Sequence, residues 1–201
     1  MSSESKNRAS ENDLESVLRD LASADAEARQ LVEGLSDEQL NWHPNGTAWS
    51  VAQCLDHLAQ VNVLYTSALS EAVRGHKPKS GASTTAIHPG WLARWFIRTM
   101  DPPPRKKFQA PKKVMPVRHR RGDEVLQAFI AAHDHVRALI LESQNLDLNR
   151  IRFRNPFVRI FHFTVGTGLL VIGAHDRRHL WQARQVLALM KAGSAGAGAH
   201  P

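Results

Sequence analysis

GAHDRRHLWQARQV, residues Gly173–Val186, has the pattern of a helix that carries imidazoles on its apolar side. At about 100° per residue, Gly168, Ile172, His175, His179, Gln182, Val186 and Leu189 share one face, while Asp176, Arg177 and Arg184 fall on a charged side. His175 and His179 are one turn apart, within reach of a single ion. Two imidazoles in a core stripe must be satisfied, either by hydrogen bonds or by a metal. The spacing alone is a weak sign, because any long helix can carry H-x-x-x-H by chance. The helix is predicted from Thr167 to Lys191, with Gly193 as its stop.

Three further helices can be traced outward from it. From Asn12 to Gly34, Leu14, Val17, Leu18, Leu21, Ala28, Leu31 and Val32 recur mostly at intervals of three and four. After the turn-rich LSDEQLNWHPNGTAW, Ser50 is a good N-cap for a second helix running to about Gly75. Its apolar face holds Val51, Leu55, Leu58, Tyr65, Leu69 and Ala72, with His57 on the flank and Asp56 and Gln60 pointing away. Asp123 is predicted to cap a third helix whose stripe includes Val125, Phe129, His133, Val136 and Ile140. An arginine-rich extended segment, NRIRFRNPFVRIFHF, leads from there to the helix of the opening motif.

Between the second and third helices the pattern breaks. Residues 76–121 hold seven prolines, 12 basic residues and 1 acidic residue, so this segment carries +11 of a chain whose net charge is +7. It reads as a long inserted loop or short helix that folds over the domain, since a structureless loop of that length is uncommon. Trp91, Leu92, Trp95, Phe96 and Met100 suit a short amphipathic helix, and Trp91, Trp95 and Phe96 are expected to anchor it on the bundle or on a second subunit. A basic patch can meet nucleic acid, anionic lipid or an acidic small molecule, but it is more often solvated surface, and nucleic acid is not the expected partner.

The 201 residues are enough for one substantial core, read as a domain over 11–191 between a disordered N-terminus (1–10) and a disordered tail (192–201). The single cysteine, Cys54, forms no internal disulfide, and MSSESKNRASENDLES lacks the features of a signal peptide, so a cytoplasmic setting is expected. The apolar run from Thr164 to Ala174 is too short to span a bilayer, and no membrane association is expected.

The segments GLSDEQLNWHPNGTAWSVAQCLDHLAQVN and GAHDRRHLWQARQV resemble the paired signatures of the DinB-like (DinB/YfiT) superfamily of metal-binding four-helix bundles. The specific parts are W-S-x-x-x-x-x-x-H-L and H-D-x-R-H-L-x-Q, and the likeness extends from about residue 12 to 191. It implies an all-α, up-down-down-up four-helix bundle with one ion held by His57 of helix two and by His175 and His179 of helix four. It also implies a metal-dependent thiol transferase or hydrolase, since the superfamily includes both. The alternative is a non-enzymatic, stress-related metal-binding protein with a basic surface for an acidic partner. Three imidazole ligands leave positions for water or substrate and suit zinc, nickel, iron and copper, with zinc or nickel expected. The expected partners are a small-molecule substrate, a low-molecular-weight thiol among the candidates, and a second copy of the chain in a homodimer.

Gln182 and His133 complete the candidates. Gln182 is placed to orient a water or a substrate oxygen, or to bond a neighbouring helix. His133 is either a group supporting the site or a satisfied core histidine, the latter being the commoner case. Cys54 reads as a small buried apolar residue, and Trp49 and Trp181 as packing anchors.

Overall fold

The structure is a computed structural model that describes residues 13–77, 86–103, 109–158 and 160–197; residues 1–10 and 198–201 of the expected disordered ends lie outside the described residues. Four long helices form the bundle: α1 (Leu14–Val32), α3 (Val51–Val73), α5 (Gly122–Ser143) and α6 (Val165–Ala197). Short helices α2 (Asp37–Leu40) and α4 (Trp91–Met100) lie in the connections. No helix among the described residues is long and apolar enough to cross a membrane.

Local chemistry sets the helix starts. Asp13 caps α1 in a reciprocal pair with Ser16, and Ser50 caps α3 in the same way with Gln53, so backbone donors that the helix itself cannot satisfy are bonded. Gly34 and Gly75 follow α1 and α3 in left-handed conformation (φ +71° and +79°), which a side chain would disfavour. The start of α5 differs from the sequence reading. Asp123 pairs with Arg121, and the Asp37 carboxylate of α2 accepts the Gly122 N–H at 2.8 Å instead. The start of α6 is fixed by Thr164, whose hydroxyl accepts the Thr167 N–H. The extended arginine-rich segment becomes a β-hairpin, β1 (Arg152–Arg154) antiparallel to β2 (His162–Thr164), with paired Phe153 and Phe163 buried and the arginines outward. At its far end α6 continues to Ala197 through residues expected to be tail, because Gly193 does not take the left-handed conformation that stops a helix and the flanking alanines favour continuation.

Side-chain pairs between helices fix their directions. Asp20 meets Arg177 and Glu27 meets Arg184, so α1 and α6 run parallel. Toward the other end of α6, Gly168 packs against Leu69, while His179 lies against His57, so α3 is antiparallel to α6. His133 reaches both Asp25 and Asp176, and the apolar residues on either side of it pair in reverse order with those of α6. The bundle is therefore up-down-down-up, and the parallel pair α3 and α5 requires the long crossover that residues 76–121 supply. Gly168 is a close approach within the bundle: a Cβ there would lie 2.6 Å from Leu69 Cδ2 and 2.8 Å from Phe153 Cε1. Gly168→Ala is expected to destabilise the fold by about 1–3 kcal/mol through overpacking, measured as a lower midpoint in urea.

The core divides into two apolar clusters. One gathers Leu21, Leu69, Val136 and Leu169 with the hairpin; the other gathers Leu31, Leu55, Phe129 and Leu180. Between them every bundle helix contributes one polar group, Asp25, Asn62, His133 and Asp176, forming a belt across the middle.

Helix α4 forms where the sequence predicts it and docks through Phe96, one of the three expected anchors, but not through the two tryptophans. Ala93 is buried, Phe96, Ile97 and Met100 pack on the first cluster, and the Phe96 ring lies 5.5 Å from both Phe161 and Phe163. Trp91 and Trp95, expected to anchor the segment, are 76% and 57% exposed. They sit one turn apart on the outer side of α4, roughly opposite the Ala93, Ile97 and Met100 stripe that makes the contact.

Candidate metal centre

The three histidines singled out by the sequence meet beside the polar belt. His57 is carried by α3, and His175 and His179 by successive turns of α6. Ring centroids are 4.6 Å apart for His175 and His179, 4.7 Å for His57 and His179, and 5.2 Å for His57 and His175. One nitrogen from each ring lies within 4.8 Å of the others. His57 and His179 are buried, and His175, of intermediate exposure as a residue, keeps its Nδ1 buried.

Two of the rings are oriented from behind. His57 Nδ1 donates to the Val114 carbonyl at 2.7 Å, and His179 Nδ1 donates to Gln182 Oε1 at 3.0 Å. A proton on Nδ1 leaves Nε2 of each ring as a lone-pair donor, which is the usual supporting arrangement of metal-binding histidines. His175 differs: its Nδ1 is buried with no hydrogen-bond partner among the described residues. An orphaned imidazole nitrogen beside two oriented ones is costly unless a ligand takes it up. Trp49, read as a packing anchor, stands against two of the imidazoles, with centroids 4.8 Å from His57 and 5.6 Å from His179.

Electrostatics keep the rings neutral. Burial lowers the pKa of all three, carrying His179 to about 3. Mutual proximity and the charge of Arg178 push His175 and His179 further the same way. Neutral imidazoles are the metal-binding form, so no proton has to be displaced near neutral pH. The donor set, three nitrogens of borderline softness, fits a divalent transition-metal ion.

The other candidates fall outside the cluster. Gln182 acts through His179, as described. His133 is fully buried in the belt, with Nδ1 2.7 Å from Asp25 and Nε2 3.2 Å from Asp176, whose other oxygen accepts from Asn62 at 2.9 Å. It is thus a satisfied core histidine. Cys54 is buried in the second apolar cluster, and burial pushes its thiol well above the ordinary range, so it offers no thiolate.

Two acidic residues are placed differently from the helical-wheel reading. Asp176 is 1% exposed, because α6 packs on α1, α3 and α4 and so buries more than one face. Asp56 does point out of the bundle, yet it is buried by the inserted segment, accepting the Val117 N–H at 2.8 Å and pairing with Arg120. Surface hollows of about 390 and 410 Å³, one beside Glu27 and Arg184 and one beside Arg74 and Glu142, do not include the histidine cluster.

Comparison with known proteins agrees with this architecture. YuaE of Bacillus subtilis, an uncharacterized protein, is 26% identical over 156 residues, covering 77% of this chain and 87% of its own. YfiT from Bacillus subtilis, described as a probable metal-dependent hydrolase with an unusual four-helix bundle topology, superposes with a TM-score of 0.52 at 18% identity, covering 95% of this chain and 90% of its own. The family model of the DinB superfamily matches residues 20–183, and the chain belongs to that superfamily.

Proposed function

We propose that the protein holds one divalent ion, zinc or nickel, on His57, His175 and His179, and that this centre activates a nucleophile against a small-molecule substrate. The observation that carries this reading is the convergence of three neutral imidazoles, two oriented through Nδ1 and one left with an orphaned buried nitrogen. Three protein ligands are the mark of a site that keeps a coordination position for chemistry. Bound there, a divalent ion supplies Lewis acidity and makes water or a thiol nucleophilic at neutral pH. Hydrolysis is the first assignment, supported by the description of YfiT. Transfer of a low-molecular-weight thiol would use the same coordination position.

The protein's own groups define how substrate meets the centre. Trp49 supplies an apolar wall beside His57 and His179. The charge of Arg178, felt at both His175 and His179, favours substrates bearing negative charge.

The test is a turnover screen of zinc- and nickel-loaded protein on activated esters, amides and alkyl halides, with and without added thiol. Turnover lost on chelation and restored by metal is the expected result. Product formed without thiol identifies a hydrolase, and product formed only with thiol identifies a transferase. No turnover at full metal occupancy would contradict the enzymatic reading and leave the non-enzymatic metal-binding alternative.

A further inference from the structure

The ring of His57 is held by the inserted segment and not by the bundle. Its acceptor, the Val114 carbonyl, belongs to the 3-10 turn Lys112–Val114, in the stretch that returns from α4 to α5. Val114 is the only buried residue between 109 and 121; the others are exposed or half-exposed, among them Met115 and Val117. So little apolar contact cannot by itself fix a strand of backbone, and such segments open at low free-energy cost.

What fixes it is a row of polar contacts from the bundle side. Asp56, the residue preceding His57 on α3, accepts the Val117 N–H at 2.8 Å and lies 3.4 Å from the Arg120 guanidinium. Asn41 bonds Arg120 backbone twice, donating to its carbonyl at 2.8 Å and accepting its N–H at 3.1 Å. Asp37 takes the Gly122 N–H at 2.8 Å, and the Lys113 ammonium donates to the Pro156 carbonyl at 2.6 Å. One turn of α3 therefore carries both the histidine and the carboxylate that secures its partner.

Resting on the metal reading above, we propose that residues 111–122 are a strap that sets metal affinity, with Asp56 as the positioning residue that holds the Val114 carbonyl on His57 Nδ1. The chemistry is reciprocal. A carbonyl on Nδ1–H orients the ring and raises the basicity of Nε2, and a cation on Nε2 makes Nδ1–H a stronger donor to that carbonyl. By linkage, whatever factor strap closure contributes to metal binding, metal binding returns to strap closure.

Two measurements with zinc test this. In competition with a chromophoric chelator, Asp56→Ala is expected to bind zinc about tenfold more weakly than the parent with unchanged stoichiometry at saturation. Asp56→Asn, whose amide oxygen can still accept the Val117 N–H, should recover most of that loss. In the parent, zinc should slow amide hydrogen exchange across 112–120, a change that a merely structural Asp56 would not produce. Parent-like affinity of folded Asp56→Ala, or zinc uptake with unchanged exchange across 112–120, overturns the strap proposal alone. A parent that takes up neither zinc nor, in the same competition, nickel overturns the metal reading as well. Should Asp56→Ala fail to fold, the parent exchange measurement decides.

Discussion

His175→Ala is expected to abolish tight metal binding, lowering affinity by at least about a hundredfold, beyond the tenfold or so that loss of a merely supporting hydrogen bond costs. The reason is positional. His175 contributes the orphaned nitrogen, and it and His179 are held one turn apart by the same rigid helix, so removing either leaves two donors on opposite walls of the cluster. His179→Ala should behave alike, and His57→Ala should also lose tight binding because it leaves only the two imidazoles of one helix. Gln182→Leu should act more mildly, since it frees the His179 ring without removing a donor. His133→Ala should bind metal like the parent per folded molecule, because its two ring nitrogens are committed to Asp25 and Asp176. Isothermal titration with zinc at matched free-metal concentrations reads all five.

Removing His133 should instead be the most damaging substitution for the fold itself. Burial alone would drive this imidazole toward neutrality, but the charge of Asp176 and hydrogen bonds to Asp176 and Asp25 hold its pKa up at about 9. His133→Leu leaves the buried Asp176 carboxylate without its cation, while Asp25 keeps the Arg137 guanidinium, and loss of one partner of a buried pair is a change of the kind that costs about 3–5 kcal/mol. In a protein of this size that lowers the thermal midpoint by roughly 10 °C or more.

The pH dependence has a definite sign. A folded pKa of about 9 against an unfolded value near 6.5 means that the contribution is fully present below about pH 6.5 and is lost as pH rises through 9. The parent should therefore lose roughly 2–3 kcal/mol more than His133→Leu between pH 6.5 and 9.5, and thermal unfolding across that window measures the difference. A constant difference between the two would show that the belt is held by neutral hydrogen bonds.

What the sequence disclosed follows from which forces are local. Ser50, Gly34 and Gly75 act on their own helix ends, and each was readable as a cap or a stop. The histidine triad was readable because His175 and His179 share one helix face, and because the resemblance supplied His57 from another helix. The belt was not readable in the same way. Asp176 lies about 100° around α6 from His175, where a one-faced wheel assigns it to solvent, but α6 buries several faces against α1, α3 and α4.

Capping across elements was equally hidden, since Asp37 reaches Gly122 over 85 residues and thereby displaces Asp123 from the expected role. The Val114 carbonyl had no side-chain signal to give, being backbone brought to His57 by the crossover. Trp91 and Trp95 looked like anchors by size, yet Ala93, Phe96, Ile97 and Met100 make the contact with the bundle, which leaves both tryptophan rings exposed in the single chain.

Elemental analysis of the parent chain, purified without an affinity tag and reconstituted with zinc after chelation, decides whether the three histidines hold an ion. About one divalent ion per chain is expected, retained through gel filtration in metal-free buffer, as three imidazole ligands would require. A folded parent chain that retains no metal would contradict the metal assignment.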